Sequence, residues 1–160
     1  MNNSFFGRCY TLLARGASLL QSPLLLVLRL YWGWQFFLTG KGKLQNLDRT
    51  TGFFLSLHIP WPHFNALLAG TTECVGGLFL LVGLGSRLVS LPLIFITVIA
   101  YITAESDALK HFFDDPDKFV SAAPFLFMLA GIIVLVFGPG VFSLDWLIEK
   151  LVCKKPRGAA

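Results

Sequence analysis

Apolar residues follow one another in four long runs, which cover about 23–40, 64–84, 87–104 and 121–138. A helix of about 18 residues, rising about 1.5 Å per residue, is about 27 Å long, enough to cross the hydrocarbon core of a bilayer. Apart from Arg87 at the start of the third run, charged residues enter the runs only at Arg29 and Glu73. The pattern predicts an all-α fold, an integral membrane four-helix bundle.

The residues outside the runs divide the chain into three parts. We expect the bundle to occupy 23–147, after an amphipathic segment over 1–22 that lies on the membrane surface and before a basic cytoplasmic tail over 148–160. Lys and Arg residues number seven on the side of the two termini and five on the opposite side. The positive-inside rule therefore favours an inner membrane protein with both termini in the cytoplasm.

Composition supports the membrane class and excludes several others. The chain is 55% hydrophobic and 14% charged, whereas about 25% of the residues of a soluble domain are charged. The net charge of +4 comes largely from the tail, which indicates a lipid surface and no nucleic acid.

Three widely spaced cysteines predict neither a disulfide framework nor a zinc site. His58 and His63 flank two prolines that prevent a shared helical face, so we expect no metal.

Small residues identify the faces along which membrane helices pack. In the first run, one stripe carries Arg29 and two glycines; its members are Ser22, Leu26, Arg29, Gly33, Phe36 and Gly40. In the second run, Glu73 shares its stripe with Ala69, Gly76, Leu80 and Gly83. If the two runs are antiparallel neighbours with level ends, Arg29 and Glu73 lie about 7 Å apart along the membrane normal. The sequence therefore predicts an Arg29–Glu73 interaction, direct or through one water.

Thr97 and Tyr101 share the inward stripe of the third run. With Arg29 and Glu73 they would form an intramembrane polar site that holds a quinone headgroup or a small acid. A structural interpretation stands beside this one, because an ion pair that only fixes helix register needs no ligand. Soluble-enzyme signatures such as a Gly-rich phosphate loop or a haem attachment motif do not occur in the sequence, which leaves the catalytic residues unknown.

Three segments together resemble the signatures of the DoxX family. They are "LRLYWGWQFFLTGKGKL" (28–44), "ECVGGLFLLVGLGSR" (73–87) and "FGPGVFSLD" (137–145). The matching positions are Arg29, Gly33, Lys43, Glu73, Gly76, Gly77, Arg87, Gly138 and Asp145. The resemblance implies a four-helix membrane bundle, in agreement with the count of apolar runs.

The resemblance also implies a role, because one family member type is the small membrane subunit of a thiosulfate–quinone oxidoreductase. We therefore expect a membrane subunit of a quinone-linked redox complex, with no intrinsic cofactor, quinone as the candidate ligand, and a protein partner or a second copy beside it. A redox label for this chain rests on analogy with the family. Two alternatives remain open: a non-enzymatic membrane scaffold or anchor subunit with a structural Arg–Glu pair, and a small oligomeric transporter.

Overall fold

The computed structural model of the protein describes residues 5–152, and every regular element in that range is a helix. The elements are α1 (Phe5–Gln45), α2 (Leu47–Ser56), α3 (Pro62–Val82), α4 (Ser86–Thr103), α5 (Ser106–Lys110), α6 (Pro116–Ser121), α7 (Ala123–Phe137) and α8 (Leu144–Val152). The prediction of an all-α membrane bundle is confirmed. In the described part of the chain α1, α3 and α4 are long and apolar enough to cross a membrane.

The fourth predicted span corresponds to α7, which is apolar but has only 15 residues. Its start is fixed by Ala122, whose backbone is extended, and by Pro124 in the first turn. Proline is favoured there because its missing N–H would have no helical partner in that turn. At the other end Gly138 has φ +79°, a conformation that favours glycine and ends the helix.

The first helix does not break where the sequence suggested a boundary between residues 22 and 23. α1 continues through Pro23 as one helix of 41 residues. Side chains from Tyr10 to Leu20 that the structure describes are exposed, so this part of α1 extends beyond the packed bundle. Residues 1–4 and 153–160, including most of the predicted basic tail, lie outside the described range.

Glycines allow α1 and α3 to pack backbone to backbone. A Cβ atom at Gly77 would lie 2.5 Å from the Phe37 nitrogen and 2.7 Å from the Gly33 carbonyl oxygen. A Cβ atom at Gly33 would in turn lie 2.8 Å from the Leu81 nitrogen. Close approach of this kind gives membrane helices the van der Waals contact that lipid does not supply. These contacts also fix the register of the two antiparallel helices.

The bundle has two different ends. The end that carries the short turn between α3 and α4 is called the turn end, and the end that carries α2, α5 and α6 is called the loop end. Between them, α1 packs against α3 and α4 against α7, around a core of Phe36, Leu80, Leu93 and Val134. At the turn end Gly83 and Gly85 have φ +75° and +57°, which lets the chain reverse over three residues.

Candidate functional site

An ion pair between Lys43 and Glu73 lies inside the bundle. The Lys43 ammonium donates a hydrogen bond to Glu73 Oε1 at 2.5 Å, and the Glu73 side chain is only 7% exposed. The Lys43 side chain is 31% exposed, so it is less enclosed than its partner. Glu73 Oε2 is buried without a partner in the described residues. The pair thus has one buried member and one partly exposed member.

Helical spacing explains why these two residues meet. Arg29, Gly33, Phe36, Gly40 and Lys43 follow one another at intervals of four, three, four and three residues, so they share one face of α1. Gly40 packs against α3 at Gly70 and Cys74, which brings the next turn of α1 beside Glu73. Glu73 lies ten residues before Gly83, or about 15 Å from the turn end, near the middle of α3.

Arg29 lies at the turn end in a cluster of its own. Its side chain is completely buried, and its Nη2 donates to the Phe142 carbonyl oxygen at 2.6 Å. The guanidinium occupies the space beside Gly83 where a Cβ atom would otherwise stand. The Asp145 carboxylate is close enough to act on the Arg29 charge. Arg29 therefore links α1 to the α3–α4 turn and to the segment before α8.

The predicted Arg29–Glu73 pair is wrong. Each residue has a different partner, and the backbone contacts place Arg29 level with Gly83, not with Glu73. The prediction took residue 23 as the level of the α3–α4 turn because the apolar run begins there. Since α1 continues well beyond that turn, Arg29 itself marks the turn end, and the two charges lie about 15 Å apart along the helices.

Asp145 and Arg87 complete the turn end. Asp145 accepts hydrogen bonds from the amides of Gly85 and Ser86 at 2.6 and 3.0 Å, and its own amide donates to the Gly83 carbonyl at 2.9 Å. A carboxylate at this point satisfies the free N–H groups of the first turn of α4 and complements the helix dipole.

Arg87 donates to the Val136 carbonyl at 3.4 Å and lies beside Gly138, so it ties α4 to the end of α7.

The other two predicted members of the polar site are buried but lie elsewhere. Thr97 donates to the Ile94 carbonyl of its own helix at 2.7 Å. Tyr101 donates to the Phe119 carbonyl at 2.9 Å and stacks on the Phe119 ring, which joins α4 to α6. In residues 5–152 we find no hydrogen bond that joins either of them to Arg29 or Glu73. The predicted four-residue site is therefore divided among three places.

A cavity of about 1090 Å³ lies at the loop end between α1, α2, α3 and α4. Most of its walls are apolar, including Phe53, Phe54, Leu57, Ile59, Leu68, Phe95, Ile96 and Ile99. Polar side chains are interspersed at Thr39, Lys43, Asn46, Arg49, Thr50, His58, Asn65, Thr72 and Thr103. Arg29, Glu73, Thr97 and Tyr101 are not among the lining residues. Lys43 lines the cavity and bonds the buried Glu73 carboxylate, so it connects the two.

Sequence reasoning placed Lys43 among the family positions without giving it a partner. The signal was present, because one further step along the stripe of Arg29, Gly33, Phe36 and Gly40 reaches Lys43. The cavity had no comparable signal. It depends on α2 turning back against α3 after Asn46, and that packing is not readable from the apolar runs.

An exposed ion pair joins the two short helices of the loop end. The Lys118 ammonium donates to the Asp107 carboxylate, and this hydrogen bond and the opposite charge hold the pKa of Asp107 below its usual range. The hydrogen bond to Asp107 in turn raises the pKa of Lys118. Because both groups face solvent, their contribution to stability is small, and they do not reach the cavity lining.

Comparison with known proteins gives one positive result. The family model of DoxX matches residues 24–106, more than half of the chain. The match covers Arg29, Lys43 and Glu73 and ends after α4. No curated protein and no solved structure matches the chain.

Proposed function

The chain belongs to the DoxX family, and from that premise we propose that it is the membrane subunit of a quinone-linked redox complex. The cavity at the loop end would hold a quinone or a similar amphiphile. One observation carries the proposal: Lys43, the partner of the buried Glu73, lies in the wall of a mainly apolar cavity of about 1090 Å³. Small-molecule sites commonly have about 300–1000 Å³, mostly apolar walls and a few polar groups that orient the ligand.

The residues of the cavity fit such a ligand. An ammonium group has three N–H donors, and Lys43 uses one of them on Glu73, so others can bind a carbonyl oxygen. The aromatic and aliphatic walls accept a ring and an isoprenoid tail. When bound, a quinone supplies proton-coupled electron transfer. In that setting Lys43 orients the headgroup, and Glu73 fixes the Lys43 side chain and offers a second oxygen for a proton.

A partner subunit would supply the electrons, since the sequence carries no motif for a redox centre of its own. We place the complex in the inner membrane with both termini in the cytoplasm, on the distribution of Lys and Arg. Reporter fusions at the C-terminus test this orientation. Activity of a reporter that works only outside the cytoplasm would contradict it.

A scaffold or anchor role is the second candidate, and α8 favours it. Leu144, Leu147, Ile148 and Leu151 lie on one stripe of this helix and are 40–74% exposed. A face of this kind can rest on lipid or on another subunit. Under this interpretation the two charged clusters only hold helices together.

The test is the quinone content of the protein purified from its native membrane in mild detergent. The wild type should carry nearly one quinone per polypeptide. The double variant Lys43→Gln/Glu73→Gln, which keeps the pair neutral, should lose most of it. Lys41→Gln is the matched control, because Lys41 is exposed on the same helix and does not line the cavity. Quinone at the level of an unrelated membrane protein would remove the redox proposal and leave the scaffold.

A further inference from the structure

The charged groups that line the cavity are all basic. Lys43 and Arg49 contribute to the lining, and no Asp or Glu side chain within residues 5–152 does. We propose that the cavity selects an amphiphile with an anionic headgroup, a carboxylate or a phosphate, which enters from the bilayer between α2 and α4 and is held by Lys43 and Arg49. This inference rests on the proposed cavity being a ligand site, but not on quinone chemistry.

The balance of charge favours an anion. Glu73, which does not line the cavity, neutralises the charge of Lys43. Arg49 takes part in none of the ion pairs between described side chains, so its charge adds a net positive field to the cavity. Because Arg49 is exposed, its attraction for a negative headgroup is modest. A neutral ligand with the same tail lacks this term.

The position of α2 gives the ligand a route from the lipid. α2 packs against α3 and the end of α1, whereas α4 packs against α3, α5 and α7. Both α2 and α4 line the cavity, and we take the space between them as the entry route of the ligand. On its two edges Phe53 is 51% exposed and Phe95 is 64% exposed. Exposed aromatic walls at this place suit a hydrocarbon tail that stays in the membrane.

The loop after α2 supports a binding role. His58, which lines the cavity, has φ +58°, and Trp61, three residues later, has φ +44°. Large residues rarely adopt this conformation, and such strain is concentrated at functional sites. Asn65, another lining residue, donates from its side chain to the Pro60 carbonyl at 2.6 Å. The strained loop is thus held in place by a residue of the cavity itself.

The experiment compares two ligands that share one hydrocarbon tail, one with an anionic carboxylate and the other with a neutral methyl ester. Full-length protein in nanodiscs of neutral phosphatidylcholine is titrated with radiolabelled oleate and with methyl oleate, and binding to empty nanodiscs is subtracted. Oleate should bind about tenfold more tightly than the ester. Arg49→Gln should weaken oleate binding about three- to fivefold and leave the ester unchanged. Lys41→Gln serves as the control and should match the wild type.

Glu73→Gln separates ligand binding from a structural role. Without its carboxylate partner, Lys43 is free to pair with the ligand, so oleate should bind several-fold more tightly. A site that depends on the pair only for its shape would bind oleate less well. Because Arg49 is exposed, its variant keeps the test valid if Glu73→Gln does not accumulate.

Phosphatidylglycerol as a competitor distinguishes the sources of the anionic headgroup. Displacement of oleate assigns the cavity to lipid phosphates as well as carboxylates; no displacement assigns it to carboxylates. Equal affinity for oleate and methyl oleate would overturn the inference. So would an Arg49→Gln variant that binds oleate like the wild type. Quinone content is measured separately, so a protein that lacks quinone but prefers oleate would remove the redox proposal alone.

Discussion

Two charged clusters lie on the same pair of helices and differ in what surrounds them. At the turn end Arg29 is fully buried, and its neighbours are a backbone carbonyl, a glycine and the capping residue Asp145. In the middle of α3, Glu73 is buried, but its partner Lys43 is 31% exposed beside a large cavity. The closed cluster holds helices together, and the Nε and Nη1 atoms of Arg29 have no hydrogen-bond partner among the described residues. An open one can also act on a ligand.

The comparison shows why a charge inside a membrane span does not by itself mark a functional site. Arg29 is the more unusual residue in the sequence, since it interrupts a long apolar run. Its contacts, however, all go to the polypeptide that closes the turn end. Lys43 looks like an ordinary basic residue at the end of a span, yet it joins the buried carboxylate to the cavity. A charged residue can act on a ligand only where the ligand can reach it.

Removal of the Arg29 side chain should have the largest effect. Arg29→Ala deletes the hydrogen bond to Phe142 and leaves Asp145 without its nearby cation, so we expect a loss of about 3–5 kcal/mol in the free energy of unfolding. Unfolding by sodium dodecyl sulfate in mild detergent measures it. Arg87→Ala is the control, because that arginine is exposed and should cost only about 0.5 kcal/mol. Equal losses for the two variants would contradict the assignment.

Adding a methyl group at the close contact between α1 and α3 tests the register of these helices, which keeps Arg29 and Glu73 apart. In Gly77→Ala the new Cβ atom meets the backbone of Phe37 and Gly33, so the helices must move apart at a cost of about 1–3 kcal/mol. Gly42→Ala, with open space around its Cβ position, should be neutral or stabilise by about 0.5–1 kcal/mol. The same unfolding assay applies. An unchanged Gly77→Ala protein would mean that the helices do not pack in this register.

Loss of the cap on α4 should have a smaller effect. Asp145→Ala removes the acceptor of the Gly85 and Ser86 amides, which should cost about 1 kcal/mol. Hydrogen exchange at these two amides should become faster, while exchange in the middle of α4 stays slow. Glu149→Ala on the exposed face of α8 is the control and should leave exchange unchanged. Slow exchange at both amides in Asp145→Ala would show that another group caps the helix.

The smallest effect concerns the exposed pair at the loop end, far from both clusters. Lys118 lowers the pKa of Asp107, so the contribution of the pair to stability is complete above the unfolded-state pKa of Asp107. It is lost as the pH falls through the lower, folded-state pKa. Lys118→Gln should raise the pKa of Asp107 toward its ordinary value, as read from the carboxyl resonance in an NMR titration. An unchanged titration would show that the pair does not form in solution.

The sequence alone predicted the helical class and the buried faces of the helices better than it predicted the residues of the polar site. Gly33, Phe36, Gly40, Gly76 and Leu80 are all buried, because helical periodicity and small residues report directly on packing. The partner of Glu73 was missed because pairing depends on how far one helix slides along the other. That register is fixed by the glycine contacts between α1 and α3, and an apolar run does not mark how far α1 continues past the α3–α4 turn. The cavity depends on α2 turning back, which is a tertiary feature.

Double-mutant cycles on Glu73 test the central claim most directly. The cycle with Lys43, built from Lys43→Gln and Glu73→Gln, should give a coupling of about 1–3 kcal/mol in the free energy of unfolding. The cycle with Arg29, built from Arg29→Gln and Glu73→Gln, should give a coupling within about 0.5 kcal/mol of zero, since the two side chains share no partner. A strong Arg29–Glu73 coupling beside a negligible Lys43–Glu73 coupling would contradict the separation of the two clusters.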